Sequence, residues 1–183
     1  MNDEGAKADC NFGFSQAIDG SAAPLQIIDR LSLLDVLYYS FDGVRHQGQI
    51  IVDGDLEDDV YEIFAAIEKL RFPVGKVVPI VEYKWNDHQS MAANNSSGFN
   101  FRVIEGTTKL SLHALGRAVD INPVQNPIIY ADGRIAPAGA VYNTKKAGTL
   151  AAEHPIVTEF LRRGWHWGGN FEQFKDYHHF EKP

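Results

Sequence analysis

The sequence predicts a single α+β domain, and three observations carry that prediction. Its 183 residues are enough for one ordinary domain with a real core. Apolar residues make up 44% and charged residues 22%, a globular balance and not a disordered one. Strand-like and helix-like stretches alternate irregularly, without the repeated strand–helix–strand order of a doubly wound parallel sheet.

The elements follow in order. Residues 1–23 are polar and rich in Gly, Ala, Asp and Ser, and read as a weakly ordered leader to a domain spanning 24–183. "LDVLYYSFDG" and "HQGQIIVDGD" read as two strands joined by a turn at Asp42-Gly43. "DLEDDVYEIFAAIEKLRFP" is the clearest helix: Val60, Ile63, Phe64, Ile67 and Leu70 form one apolar stripe, acidic residues crowd its start, and Pro73 lies past its end. "KVVPIVEY" reads as an edge or bulged strand, because Pro79 cannot donate to a ladder. "NDHQSMAANNSSG" reads as a loop, and the alternation in "FNFRVIEG" as a strand. "RAVDINP" is a short strand stopped by Pro123, and a Pro/Gly-containing loop fills much of 123–150. "HPIVTEFLRRG" is a short helix with Pro155 in its first turn, and "WHWGG" and "HHFE" are short terminal strands.

Charge and cysteine content narrow the function. A net charge of −7 argues against general affinity for nucleic acid or anionic membrane, while leaving room for a local cationic centre. The single cysteine, Cys10, excludes an intramolecular disulfide and reads as a free thiol in a loose terminus. No stretch is long and apolar enough to span a membrane, and the N-terminus lacks the basic start and apolar run of a signal peptide. The protein therefore acts inside the cell or is a mature form. A monomer is the default, since no heptad pattern is present.

Two segments carry chemistry. In "SLHALGRAVDINP", Gly116 permits a tight change of direction, so that His113 can end one element and Asp120 sit on the next strand. Asp120 lies between Val119 and Ile121, where a buried carboxylate is costly unless it is paired or bound to metal. A buried Asp–His hydrogen bond and a metal site both fit that segment. The terminal Asp176-Tyr177-His178-His179 shifts the balance, because two imidazoles and one carboxylate are a recurrent ligand set for catalytic zinc. Strand alternation lets only one of the adjacent histidines reach a common centre. Of the remaining histidines, His46 and His88 read as solvated and His154 as a helix-start residue.

"SLHALGRAVDINP" fits the pattern SxHxxGxAxD of the bacterial zinc D-alanyl-D-alanine carboxypeptidases and L-alanyl-D-glutamate endopeptidases. "GWHWGGNFEQFKDYHHFE" resembles the closing GWxWGG…DxxHFE of that family, and the resemblance runs from about Leu33 to Glu181. It implies a hedgehog/DD-peptidase-like fold, with a central, mainly antiparallel sheet flanked by helices. It implies one Zn2+ per chain, held by His113, Asp120 and His179, and Asp176 as the general base that activates water and then protonates the leaving amine. His178 is left to packing or solvent. Arg102 matches the arginine that stabilises the oxyanion, and Ser111 the serine that holds substrate. Ser111 equally reads as a cap on the turn into "LHALG". One tryptophan of the Trp165/Trp167 pair, Trp167, is expected to contact substrate.

The implied substrate is the peptidoglycan stem peptide, cleaved as a D-alanyl-D-alanine carboxypeptidase or, alternatively, as an L-alanyl-D-glutamate endopeptidase, outside the cytoplasm. An aspartate base brings the chain nearer to the endopeptidase and broader carboxypeptidase branches than to the strict dipeptidases. Two readings from other classes compete: a non-catalytic zinc-containing module that binds cell wall, and an α+β binding domain with a buried Asp–His pair.

Overall fold

The computed structural model describes residues 5–183, in which short helices and strands pack around one long hairpin. That hairpin is β2 (Leu31–Tyr39) with β3 (Arg45–Asp53), antiparallel in register from Leu31 opposite Asp53 to Tyr39 opposite Arg45. Gly43 takes φ of +76° in the connecting turn, a conformation that costs glycine nothing. Helix α3 (Glu57–Lys69) follows and lays Val60, Ile63, Phe64 and Ile67 against the hairpin's Leu34, Val36, Ile50 and Val52. Leu70, expected in the stripe, is half exposed, because the helix has ended and the chain turns at Arg71 with φ of +48°. Truncating a fully buried member such as Ile63 to alanine should cost about 2–5 kcal/mol.

The segment before the hairpin is more ordered than its composition suggests. Strand β1 (Lys7–Ala8) pairs in parallel with β3, and short helices α1 (Phe14–Ala17) and α2 (Leu25–Ile28) follow. Ala17 is fully buried with Phe99, Leu31 and Ile51, and Phe12, Phe14 and Ile18 pack on them. The expectation of a loose leader is therefore corrected for residues 5–23; residues 1–4 lie outside the described part. His46, read as solvated, is buried with Nδ1 2.7 Å from Asp9 Oδ1 and Nε2 3.1 Å from Asp42 Oδ2. The Tyr38 hydroxyl also donates to Asp9. Cys10 lies against Gln49, and burial pushes its thiol up to about 12, so it stays protonated and unreactive.

Three further expectations fail for local reasons. "KVVPIVEY" supplies only β4 (Lys76–Val77); after Pro79 the chain winds into a 3-10 turn at Ile80–Tyr83. The polar stretch after it holds helix α4 (Asp87–Ala92), started by the Asn86 side chain accepting from Gln89 N. Strand β5 (Asn95–Ser96) then pairs in parallel with β4. "FNFRVIEG" is no strand: Val103 makes one isolated bridge to Leu110, and Val103 and Ile104 are exposed. Its alternation reflects Phe99 and Phe101 packing on the N-terminal cluster.

The C-terminal half forms two small sheets. Strand β6 (Ala118–Asp120) lies beside β11 (His179–Glu181), which pairs on its other edge with β9 (His166–Trp167). Within the long loop, β7 (Ile128–Ile129) and β8 (Ile135–Ala136) form a hairpin, and β10 (Lys175–Asp176) joins the free edge of β7. Helix α5 (Pro155–Leu161) starts at His154, whose Nδ1 accepts from Ile156 N, and buries Ile156, Val157 and Phe160. The fold is α+β and mostly antiparallel, but among the described residues four small sheets replace the single central sheet expected. Most of the strands are two or three residues long, too short to join one continuous ladder.

Candidate metal centre

The register of β6 and β11 sets Asp120 directly opposite His179. Asp120 is further fixed by two backbone bonds with Ser97. His113 reaches the same point from a 3-10 turn, Leu112–Leu115, that ends at Gly116 with φ of +69°. A Cβ at Gly116 would come within 2.5 Å of Asp53 N, so only glycine lets this turn lie on β3. Ser111 caps the turn, its Oγ accepting from His113 N at 3.3 Å.

The three side chains converge. His113 Nε2 and Asp120 Oδ1 are 3.1 Å apart, His179 Nδ1 and Asp120 Oδ1 3.1 Å, and the two ring nitrogens 3.2 Å. Among the described residues this is a group able to hold a metal ion, and all three members are buried. The outer nitrogens fix the tautomers. His113 Nδ1 lies 2.6 Å from the Gly98 carbonyl, which can only accept, so Nε2 presents its lone pair inward. His179 Nε2 lies 3.0 Å from Glu181 Oε2, so Nδ1 does the same.

Three electron-rich atoms therefore face one another, an arrangement that needs a cation or a proton between them. A proton on His179 would meet that need. Burial opposes a charged ring, but hydrogen bonds to Asp120 and Glu181 carry the His179 imidazole up to about 10. Asp120 is held well below the usual carboxylate range: burial works against it, and the imidazoles of His113, His178 and His179 outweigh burial. Glu181 is lowered by its bond to His179. A tetrahedral zinc with bonds of about 2.0–2.1 Å has ligand–ligand edges of about 3.3 Å, so the observed triangle fits a zinc ion closely.

Asp176 stands at the end of β10, brought close by the glycine pair before it. A Cβ on Gly168 would strike the Asp176 carbonyl oxygen and lie 2.9 Å from its Cβ. Its side chain is only 13% exposed, and burial raises its pKa above the ordinary aspartate value, with the neighbouring imidazoles opposing. Oδ1 is buried without an aligned hydrogen bond.

His178, expected in packing or solvent, is buried. It precedes β11 in the turn after Asp176, where strand alternation does not apply. Its Nδ1 lies 2.7 Å from the Asn126 carbonyl, and its Nε2 3.1 Å from Asp176 Oδ1 and 3.9 Å from Asp120 Oδ2.

Residues 105–182 match the family model described as D-alanyl-D-alanine carboxypeptidase. This stretch is similar to that family, the one that the two motifs resemble. Neither the curated proteins nor the solved structures contain a match to the chain. The family stretch contains Ser111, His113, Asp120, Trp167, Asp176 and His179, while Arg102 precedes it.

Two residues assigned from the DD-peptidase resemblance have other contacts. Trp167, expected to contact substrate, is core: it is 3% exposed, donates to the Tyr177 carbonyl at 2.9 Å and covers Gly169. Its alternation on β9 turns it inward and leaves His166 outside. Arg102 pairs with Asp87 at 3.1 Å, and its Nε is buried without a hydrogen-bond partner.

Asn122 and Asn126 were not singled out from the sequence. Asn122 Nδ2 donates to the Pro73 and Gly148 carbonyls, and its Oδ1 accepts from Gly75 N. Asn126 likewise ties Ile121 and Gly148 to Leu150 N. Their signal was two amides flanking a proline in "INPVQNP", a pattern that only long-range contacts convert into a brace.

Proposed function

We propose that the protein is a zinc-dependent peptidase of peptidoglycan stem peptides, acting outside the cytoplasm as a D-alanyl-D-alanine carboxypeptidase. The observation that carries this reading is the buried triangle of His113, Asp120 and His179, with both histidine tautomers fixed to point lone pairs inward beside a second, separate carboxyl, Asp176. A purely structural Asp–His pair needs neither the third donor nor that carboxyl.

A zinc ion held by His113, Asp120 and His179 would supply Lewis acidity and lower the pKa of a water near neutrality. The other roles belong to the chain. Asp176 takes the proton of the attacking water on its carboxylate and returns it to the leaving amine. Burial raises its pKa above the ordinary aspartate value, which makes the carboxylate a stronger acceptor for the water's proton. Arg102 directs its guanidinium to the oxyanion, and its unpartnered Nε–H supports that role. Ser111 spends an oxygen lone pair on His113 N, so its hydroxyl proton remains to donate to substrate.

Defined stem peptides test the proposal, with products identified by mass spectrometry. Release of terminal D-alanine supports the carboxypeptidase. Cleavage between L-alanine and D-glutamate assigns the endopeptidase instead. Zinc and wall binding without any turnover would leave a non-catalytic module.

A further inference from the structure

We propose that His178 is a positioning residue for Asp176, fixed by Asn126. The inference rests on the reading of Asp176 as the base. Packing alone does not account for this ring: it is 2% exposed, yet both nitrogens face polar groups and neither faces solvent or an apolar wall.

The Asn126 carbonyl can only accept, so Nδ1 carries the hydrogen and Nε2 is the nitrogen turned toward Asp176. Asp176 Oδ1 is buried and has no aligned hydrogen bond among the described residues, and Nε2 is 3.1 Å away. That nitrogen presents a lone pair to Oδ1, so it is placed to hold the carboxyl once Asp176 carries the proton taken from the water. The acid O–H then donates to Nε2, after a small rotation about the carboxyl's terminal torsion, until that proton passes to the leaving amine.

Asn126 is itself immobile. It is fully buried; its Nδ2 donates to the carbonyls of Ile121 at 3.0 Å, Asn122 at 3.2 Å and Gly148 at 3.0 Å, and its Oδ1 accepts from Leu150 N at 2.7 Å. Ile121 directly follows the ligand Asp120, and its N–H donates to the His178 carbonyl at 3.0 Å. The base and the ligand carboxylate are thus referred to one frame, through Asn126 and His178. Side chains held in this way keep a reacting group within the few tenths of an ångström that proton transfer demands.

Two substitutions separate the nitrogens. The amide of His178→Asn reaches as far as Nδ1, keeping the Asn126 contact and losing Asp176; the amide of His178→Gln reaches as far as Nε2 and can hold Asp176. Both are compared with wild type and with Asp176→Asn for zinc content, thermal midpoint, kcat and KM on a defined stem peptide, and the crystallographic position of the Asp176 carboxyl. His178→Asn should keep about one zinc per chain and its KM, lose about 100-fold in kcat, and show the carboxyl displaced. His178→Gln should recover at least about tenfold of that loss. An unchanged kcat in zinc-loaded His178→Asn, equal losses in both variants, or loss of zinc from either would overturn the proposal. A fully active Asp176→Asn would instead remove the base reading on which it depends.

Discussion

Asp120 and His179 face each other across an antiparallel strand pair, with Oδ1 and Nδ1 3.1 Å apart. Backbone hydrogen bonding fixes that juxtaposition, so two of the three proposed ligands face each other without any metal. Only His113 depends on the turn that carries it.

Metal binding should therefore stabilise a fold that already exists. Zinc at about 100 times its Kd adds about 2.7 kcal/mol, which for a chain of this size raises Tm by about 5–10 °C. Chelation followed by calorimetry should show that fall with a cooperative transition retained, and elemental analysis should find one zinc per chain. His179→Ala should lose both the zinc and the shift.

Zinc affinity should depend on pH through His179. In the metal-free protein its folded pKa is raised from 6.5 to about 10, so the stability it contributes is complete below 6.5 and is lost as pH rises toward 10. Asp120 is depressed, so its contribution is present above about 3.8 and is lost as pH falls below that value. A zinc ion bound at the proposed site would displace the His179 proton. Apparent affinity should rise about tenfold per pH unit between 6.5 and 9. Titration with a competing chelator measures the slope, and a flat profile would show that no proton leaves.

Asp176→Asn should bind zinc as wild type does and lose about 10²–10⁴ in kcat, the usual contribution of a positioned acid–base group. Stopped assays on stem peptides, with zinc content measured in parallel, separate this outcome from a lost metal.

Gly168→Ala should act at a distance from the metal. The new methyl would press on the Asp176 carbonyl and its Cβ, at a cost of about 1–3 kcal/mol, and would displace the carboxyl. A lower Tm accompanied by reduced kcat is expected. Full activity would show that the 3-10 turn at Gly168–Asn170 yields instead.

Arg102→Gln should leave zinc and Tm nearly unchanged and lower kcat by about 10²–10³, the cost of one oxyanion donor. If Arg102 only pairs with Asp87, the variant should behave as wild type in the same peptide assay.

Local physics made several features legible in the sequence. The stripe of Val60, Ile63, Phe64 and Ile67 has the period of one helix face, and the β2–β3 hairpin declares itself by two apolar runs and a glycine turn. The convergence of His113, Asp120 and His179 was readable because these residue types are costly to bury without a partner, and because the motif resemblance selected His179 of the pair. The false strand at "FNFRVIEG" and the inward turn of Trp167 show the limit, since an apolar residue's period does not say what it will meet.

The sequence by itself determined the inventory: an α+β mixture of elements, two histidines and an aspartate able to act as donors, and a separate carboxyl three residues before the last of them. Tertiary structure decided the rest. Register placed Asp120 opposite His179, Glu181 and the Gly98 carbonyl chose the ring tautomers, and Asn126 turned His178 from an apparent bystander into the neighbour of Asp176. These outcomes depend on which backbone carbonyl arrives beside which nitrogen, and residues 52 positions apart, such as Asn126 and His178, meet only when the chain has folded.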